Sequence, residues 1–326
     1  MTEAISPMLA KAIDAIPDDD ALLFEPKWDG FRAIVHVDEP GVTIHGRSKP
    51  LTRYFPELVA AFSSMSPCVL DGEIIVRSGP KGNERLDWEL LSQRIHPAKS
   101  RVSKLATETP AQFVAFDLLS LGLDLPFATR RAALEKLSLA PPIFKTQATS
   151  DAATARRWLA DFEGAGLDGV VAKRLDAPYS PGKRTMLKIK HHRTADVVLL
   201  GYRVHKSGRG VGSLLLGLYD SSGDLQNVGG VSAFSDKKRL ELVDELAPLV
   251  TGTSERDRNR YSHGKDVSFV TLEPSRVLEV RYDQMEGARF RHTVQFERWR
   301  ADRDARSCTF EQLEIPVAYD LTRVLS

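Results

Sequence analysis

Cysteine is scarce: two in 326 residues, Cys68 and Cys308, far apart and without metal-ligand spacing. That count excludes a disulfide framework and a structural zinc module built on several cysteines, and it fits two free thiols in a reducing cytosol. Long apolar runs are also missing. The longest are strand-sized, so no membrane-spanning helix is expected. Met1 to Ala10 lacks the basic-then-apolar pattern of a secretory leader. Charge of one sign is the third absence. The net charge is +1, from 45 basic and 44 acidic residues, and neither half of the chain is strongly basic. This argues against a protein that grips polyanions by bulk charge.

What is present is an ordinary globular composition, 42% hydrophobic and 27% charged, with length for two domains. Charge is uneven locally. Residues 169–210 hold ten Lys or Arg against Asp176 and Asp196. The bland reading of such a block is a solvated charge run. Lys188 and Lys190, however, alternate with apolar residues at strand period, which turns both toward one face. The stretch Phe24-Glu25-Pro26-Lys27-Trp28-Asp29-Gly30-Phe31-Arg32-Ala33 places one lysine between two apolar runs that read as strands. Partial desolvation there disfavours an ammonium and makes Lys27 a nucleophile candidate. Gly30 lets the backbone approach a ligand. The competing reading is a solvated lysine in a hairpin turn.

Along the chain, residues 1 to 20 read as a lead-in and Tyr54 to Ser64 as a helix. Residues 87–95, 129–137 and 151–163 also read as helices, the last capped by Asp151. Cys68 to Val76, Gln112 to Leu119, Val170 to Lys173 and Thr185 to Lys190 read as strands. Acids interrupt or open several of them: Asp71, Glu73, Asp117 and Asp168. Buried carboxylates need partners, and a shared polar cleft is the simplest account of so many. His191 to Ala195 reads as a linker. Beyond it come five short strands, the fourth beginning at Val267, and one helix from Ser235 to Leu246. Thr251 to Lys265 reads as a polar loop. This fits a small Greek-key barrel of the OB type, with the tail past Asp304 (Phe310, Leu313, Ile315, Val317) packing back on it.

Lys27-Trp28-Asp29-Gly30-Phe31-Arg32 resembles the signature of nucleotidyltransferases that carry AMP or GMP on a lysine: DNA ligases, RNA ligases and capping enzymes. Its companions stand in order: Leu70-Asp71-Gly72-Glu73, Phe116-Asp117, Asp168-Gly169-Val170-Val171-Ala172-Lys173, Lys188-Ile189-Lys190 and Trp299-Arg300-Ala301-Asp302-Arg303. The flanks are most similar to bacterial ATP-dependent DNA ligases, in particular ligase C and the ligase module of ligase D. Two positions depart from the family pattern: Asp168 replaces a more usual glutamate, and Arg303 a lysine.

The resemblance implies an α+β fold, an adenylation domain with antiparallel sheets over 1–193 followed by an OB-fold domain over 194–326. It implies that Lys27 attacks ATP, with Asp29 assisting later steps. Glu25 would read the adenine amino group and Phe116 stack on the base. Arg32, Arg47 and Arg184 would hold ribose and phosphates, and Lys188 and Lys190 the α-phosphate. Asp168 and Glu73 would bind Mg²⁺, with Mn²⁺ the alternative. Arg300, Asp302 and Arg303 would orient pyrophosphate in the second domain, which swings about residues 191–195. Only 26 residues precede Lys27, which points to ATP over NAD and to a minimal, monomeric ligase of the bacterial cytosol. Its substrate would be nicked double-stranded DNA, delivered by a Ku-like end binder or a gap-filling polymerase. An RNA ligase, a GTP-using capping enzyme and a non-catalytic OB-type nucleic-acid binder remain alternatives.

Overall fold

The computed structural model describes residues 5–39, 41–191, 193–255, 268–313 and 316–325. The chain forms two compact units, Met1–His191 with Pro316–Ser326, and His192–Ile315. No helix among the described residues is long and apolar enough to cross a membrane.

The first unit is built on two sheets. A five-stranded sheet runs in the order Gly41–Gly46, Phe31–Asp38, Cys68–Ile75, Gln112–Leu118, Ile143–Lys145. Gln112–Leu118 is buried at every position, which is why it reads as a near-continuous apolar run instead of an alternation. One face packs on helix Pro56–Phe62, where Phe62 meets Phe113 edge-on at 5.2 Å. On the other face Ile34 clusters with Met186 and Val171 of a four-stranded sheet. That sheet has the order Leu9–Ala12, Arg184–Ile189, Val170–Arg174, Leu22–Pro26. Most pairs are antiparallel, as expected. Two are parallel: Leu9–Ala12 with Arg184–Ile189, and Gln112–Leu118 with Ile143–Lys145. The lead-in therefore contributes a strand. Helix Ala152–Asp161 is capped by Asp151, whose carboxylate accepts from the Ala153 and Thr154 N–H groups at 3.0 Å.

The second unit is an OB-type half-barrel of seven strands around one core, closed over by helix Asp236–Leu246, which buries Leu242 and Leu246. Its organising strand, Arg193–Val204, pairs with Val211–Tyr219, Ser268–Leu272 and Val277–Tyr282 in turn. A register shift between Leu199 and Gly201 marks where it bends. Three expectations are corrected here. Arg193 to Ala195 is strand, so the linker is shorter than 191–195. Val250–Glu255 is a strand where a loop was expected, and residues 256–267, including the start of the strand at Val267, lie outside the described residues. Gln295–Trp299 adds a further strand.

The tail divides. Phe310 and Leu313 pack on the half-barrel core, but Leu321, Val324 and Leu325 are buried in the first unit. Val317 is exposed, and Ile315 lies outside the described residues.

Candidate active site

Lys27 lies where the chain crosses between the two sheets, because Leu22–Pro26 belongs to one and Phe31–Asp38 to the other. Residues 27–30 are thus a crossover and not a hairpin turn. The Lys27 N–H donates to the Gly169 carbonyl at 2.8 Å and the Asp168 N–H to the Lys27 carbonyl at 2.9 Å. These bonds lay the nucleophile candidate against the Asp168-Gly169 turn. Gly169 has φ of +126°, and a Cβ there would stand 2.0 Å from the Ile189 carbonyl oxygen, so the turn requires glycine. At Gly30 a Cβ would meet the Ile74 carbonyl oxygen at 2.1 Å, so the adjoining strand also calls for glycine there.

The Lys27 ammonium is in direct contact with Asp168 Oδ2, and Lys190 Nζ lies 3.0 Å from the same oxygen. Burial pushes the Asp168 carboxyl up, but Lys27 and Lys190 outweigh it and hold the group below the usual carboxylate range. The shorter arm of aspartate therefore still reaches the nucleophile. Lys188 lies in strand Arg184–Ile189, paired in register with Val171, and Lys190 follows the last residue of that strand. Arg184 is exposed at the start of that strand, and Asp29 is half-buried in the crossover.

A cleft of about 290 Å³ in the same unit is lined by Gly30, Arg32, Arg47, Lys49, Glu73 and their neighbours. It brings Arg32, Arg47 and Glu73 together. Burial pushes the Glu73 carboxyl up to about 7, against the opposing pull of Arg32 and Lys27. An acid whose folded-state value is raised favours the folded state while protonated, and that contribution is lost as pH rises from 4.5 to about 7. Glu73→Gln is expected to raise the melting temperature at about pH 8 and to leave it little changed near pH 4, as thermal melts at the two pH values would show.

The other acids in strands have partners of their own. Asp71 is fully buried, gripped by Arg32 through two bonds of 2.6 Å and by the Tyr179 hydroxyl at 2.6 Å. Burial works against the Arg32 charge, Asp71 more than offsets it, and the guanidinium sits above its ordinary value. Asp117, opposite Asp71 in register, is held by Arg130 at 2.9 and 3.1 Å. The idea of one cleft for all the acids is therefore corrected: Asp71 and Asp117 are core ion pairs, while Glu73 and Asp168 face Lys27.

Phe116 is buried, with Arg32 4.2 Å and Lys173 4.7 Å from its ring centroid; a base stacking on it would share the ring with these cations. Glu25 is likewise buried, bound to Arg131 at 3.0 Å and Lys173 at 2.7 Å. Lys173, which closes the Asp168–Lys173 motif but was given no role, and Arg131, which was not named, are members of this neighbourhood. The clue for Lys173 was its strand position after three apolar residues, a cation that had to be paired. In the second unit, Arg300 binds Asp302 at 2.9 and 2.8 Å and Asp196 at 2.9 and 3.0 Å, and Arg303 reaches Asp196 at 3.2 Å. The Arg300–Arg303 motif is thus a preformed cluster around Asp196, which was not anticipated.

Lys27 at a sheet crossover, sharing the Asp168 carboxylate with Lys190, in a chain that continues into an OB-type unit, is the arrangement that the nucleotidyltransferase resemblance implies. The family model described as "ATP dependent DNA ligase domain" matches residues 7–190, and "ATP dependent DNA ligase C terminal region" matches 207–303. The chain belongs to the ATP-dependent DNA ligases. It is 52% identical to DNA ligase C1 of Mycolicibacterium smegmatis, over 98% of this chain and 97% of that protein. It is 34% identical to a multifunctional non-homologous end joining DNA repair protein of Mycobacterium tuberculosis, over 80% of this chain and 34% of that protein. Among solved structures, a Lig E DNA ligase shares the fold at 17% identity and a TM-score of 0.59, covering 91% of this chain and all of that one.

Proposed function

We propose that this chain seals 5′-phosphate/3′-hydroxyl nicks in double-stranded DNA through lysyl-AMP on Lys27 and then a DNA-adenylate. The observation that carries the reading is the shared contact of Lys27 and Lys190 with Asp168. In the first step the Lys27 Nζ attacks the α-phosphorus of ATP, an N–P bond forms, and the bond to the β-phosphate oxygen breaks to release pyrophosphate. An ammonium is no nucleophile, so Lys27 must first release a proton. Asp168 Oδ2, in direct contact with the Lys27 ammonium, stands where that proton would go, and Lys190 at 3.0 Å from the same oxygen offsets the carboxylate's charge. Arg32, Arg47 and Glu73 line the cleft for ribose and phosphate, and Lys188 and Lys190 offset charge on the α-phosphate. Arg300, Asp302 and Arg303 meet the pyrophosphate when the second unit closes.

Mg²⁺ takes oxygen ligands and commonly only one or two protein carboxylates. The described residues contain no group of three or more His, Cys, Asp or Glu placed to hold a metal. Glu73 and Asp168 both interact with Lys27, and Glu73 is a buried carboxyl whose charged form burial disfavours despite Arg32, Lys27 and Arg47. That donor set fits Mg²⁺ held jointly with triphosphate oxygens. When bound, the ion would polarise the phosphate and draw negative charge away from Lys27.

The end-joining relative supports a role in DNA repair, with a Ku-like end binder or a gap-filling polymerase as partner. A purified Ku-like protein that leaves end sealing unchanged would remove the first of these. The reading itself is tested by incubating the protein with α-labelled ATP, GTP or adenylate-labelled NAD in Mg²⁺, then with nicked DNA. Label from ATP alone, chased into sealed DNA, is expected. Label from GTP would mark a capping enzyme, and sealing of RNA but not DNA an RNA ligase.

A further inference from the structure

The residues flanking the nucleophile pair are anchored by the end of the chain. Trp28, next to Lys27, and Leu167, next to Asp168, are buried in one hydrophobic cluster with Leu321, Val324 and Leu325. Trp28 is further fixed by its indole N–H, which donates to Thr146 Oγ1 at 2.8 Å. The tail is seated by specific contacts. The Leu321 N–H donates to the Glu84 carbonyl at 2.9 Å, and Gln147 Nε2 to the Arg323 carbonyl at 2.9 Å. Tyr319 packs on Phe162 with ring centroids 5.1 Å apart. Gly164 makes room for it: a Cβ there would lie 1.8 Å from the Val317 carbonyl oxygen and 2.7 Å from the Tyr319 nitrogen.

We propose that residues 316–325 form a clasp that positions Lys27 against Asp168. The proposal rests on the reading of Lys27 as nucleophile. Both members of the catalytic contact take their backbone position from side chains one residue away, and those side chains pack on the tail. The chain reaches this tail only after building the second unit, so that unit is joined to the first at both ends. Its closing over ATP is then a motion between two links, and a pull on the tail acts on the cluster beneath Lys27.

Gly164→Ala tests the clasp without altering the tail or the site. Gly164 has no left-handed φ, so alanine suits its backbone, and the three atoms nearest its Cβ all belong to the tail. Gly164→Ala and a chain ended after Ile315 are both expected to form lysyl-AMP roughly ten- to a hundredfold more slowly at saturating ATP, since small misplacements of reacting groups cost that much. KM for ATP should change little, and adding Gly164→Ala to the shortened chain should cost nothing further. Hydrogen exchange supplies a readout independent of activity: the Lys27 and Asp168 amides, bonded across the turn, should lose protection in either variant while second-unit strands keep theirs. A shortened chain with full adenylylation rate, a Gly164→Ala effect that persists in it, or unchanged protection at Lys27 and Asp168 would overturn the clasp. If the intact protein takes no label, the nucleophile reading fails, and the exchange data alone decide whether the tail positions this turn.

Discussion

Lys27→Ala is expected to lose transfer of label from α-labelled ATP by on the order of 10⁴-fold or more, because it removes the atom that forms the covalent bond. Lys27→Arg should be as inactive. Its guanidinium keeps the positive charge beside Asp168 but does not give up a proton near neutral pH. The two variants together separate nucleophilicity from charge: if Lys27 acted only as a cation holding Asp168, arginine would retain much of the activity. Both proteins should fold, since Asp168 keeps Lys190 at 3.0 Å and the backbone bonds between residue 27 and the Asp168-Gly169 turn do not involve the side chain. Sealing of a nick supplied already adenylated should persist in both, because there the 3′-hydroxyl, not the lysine, attacks the phosphate. A denaturing gel in which Lys27→Ala carries the same label as the wild type would place the nucleotide on another residue and end the scheme.

Much of this site was legible because its residues break the rules of the elements that carry them. A lysine between apolar strands, a glycine after Asp168 and two lysines at strand period are each awkward for a packed domain, and chemistry is the economical reason for them. What was not legible is which acids serve the core. Asp71 and Glu73 lie two residues apart on one strand, but the first is locked by Arg32 and Tyr179 and the second lines the cleft. Only the partners, 39 and 108 residues away from Asp71, decide that. Missed elements share a physical cause. Lys99–Glu108 buries only Val102 and Leu105, too few to show a helical stripe. Val250–Glu255 and Gln295–Trp299 lie at sheet edges with mostly polar side chains, so they carry no alternation to read. The return of the tail was hidden because Leu321, Val324 and Leu325 look the same whichever core they enter.

Arg130→Ala is expected to destabilise the first unit by about 3–5 kcal/mol, the cost of stranding a buried charge, and to lower its melting temperature by roughly 10 °C. Arg130 is 1% and Asp117 2% exposed. The guanidinium meets both carboxylate oxygens and also donates to the Leu125 carbonyl. Removing it strands the Asp117 carboxylate in the core of the five-stranded sheet. Three consequences separate this from simple loss of packing. Protonation neutralises the stranded carboxylate, so the variant should recover stability relative to wild type as pH falls through the acid range. Asp117→Ala in the same chain removes the stranded charge, so the double variant should be less destabilised than the sum of the two single changes. Arg130→Leu, which restores some volume but no charge, should behave like alanine with respect to pH. Equal destabilisation at every pH, or strict additivity of the two changes, would mean that Arg130 contributes only its bulk and that Asp117 is satisfied some other way. Asp117 directly follows Phe116, whose ring carries Arg32 at 4.2 Å, and Arg130 reaches Asp117 from helix Phe127–Lys136. A measured loss of the expected size would show that Arg130–Asp117, in register beside the Asp71 that Arg32 grips, is a buried charge pair that stabilises the five-stranded sheet.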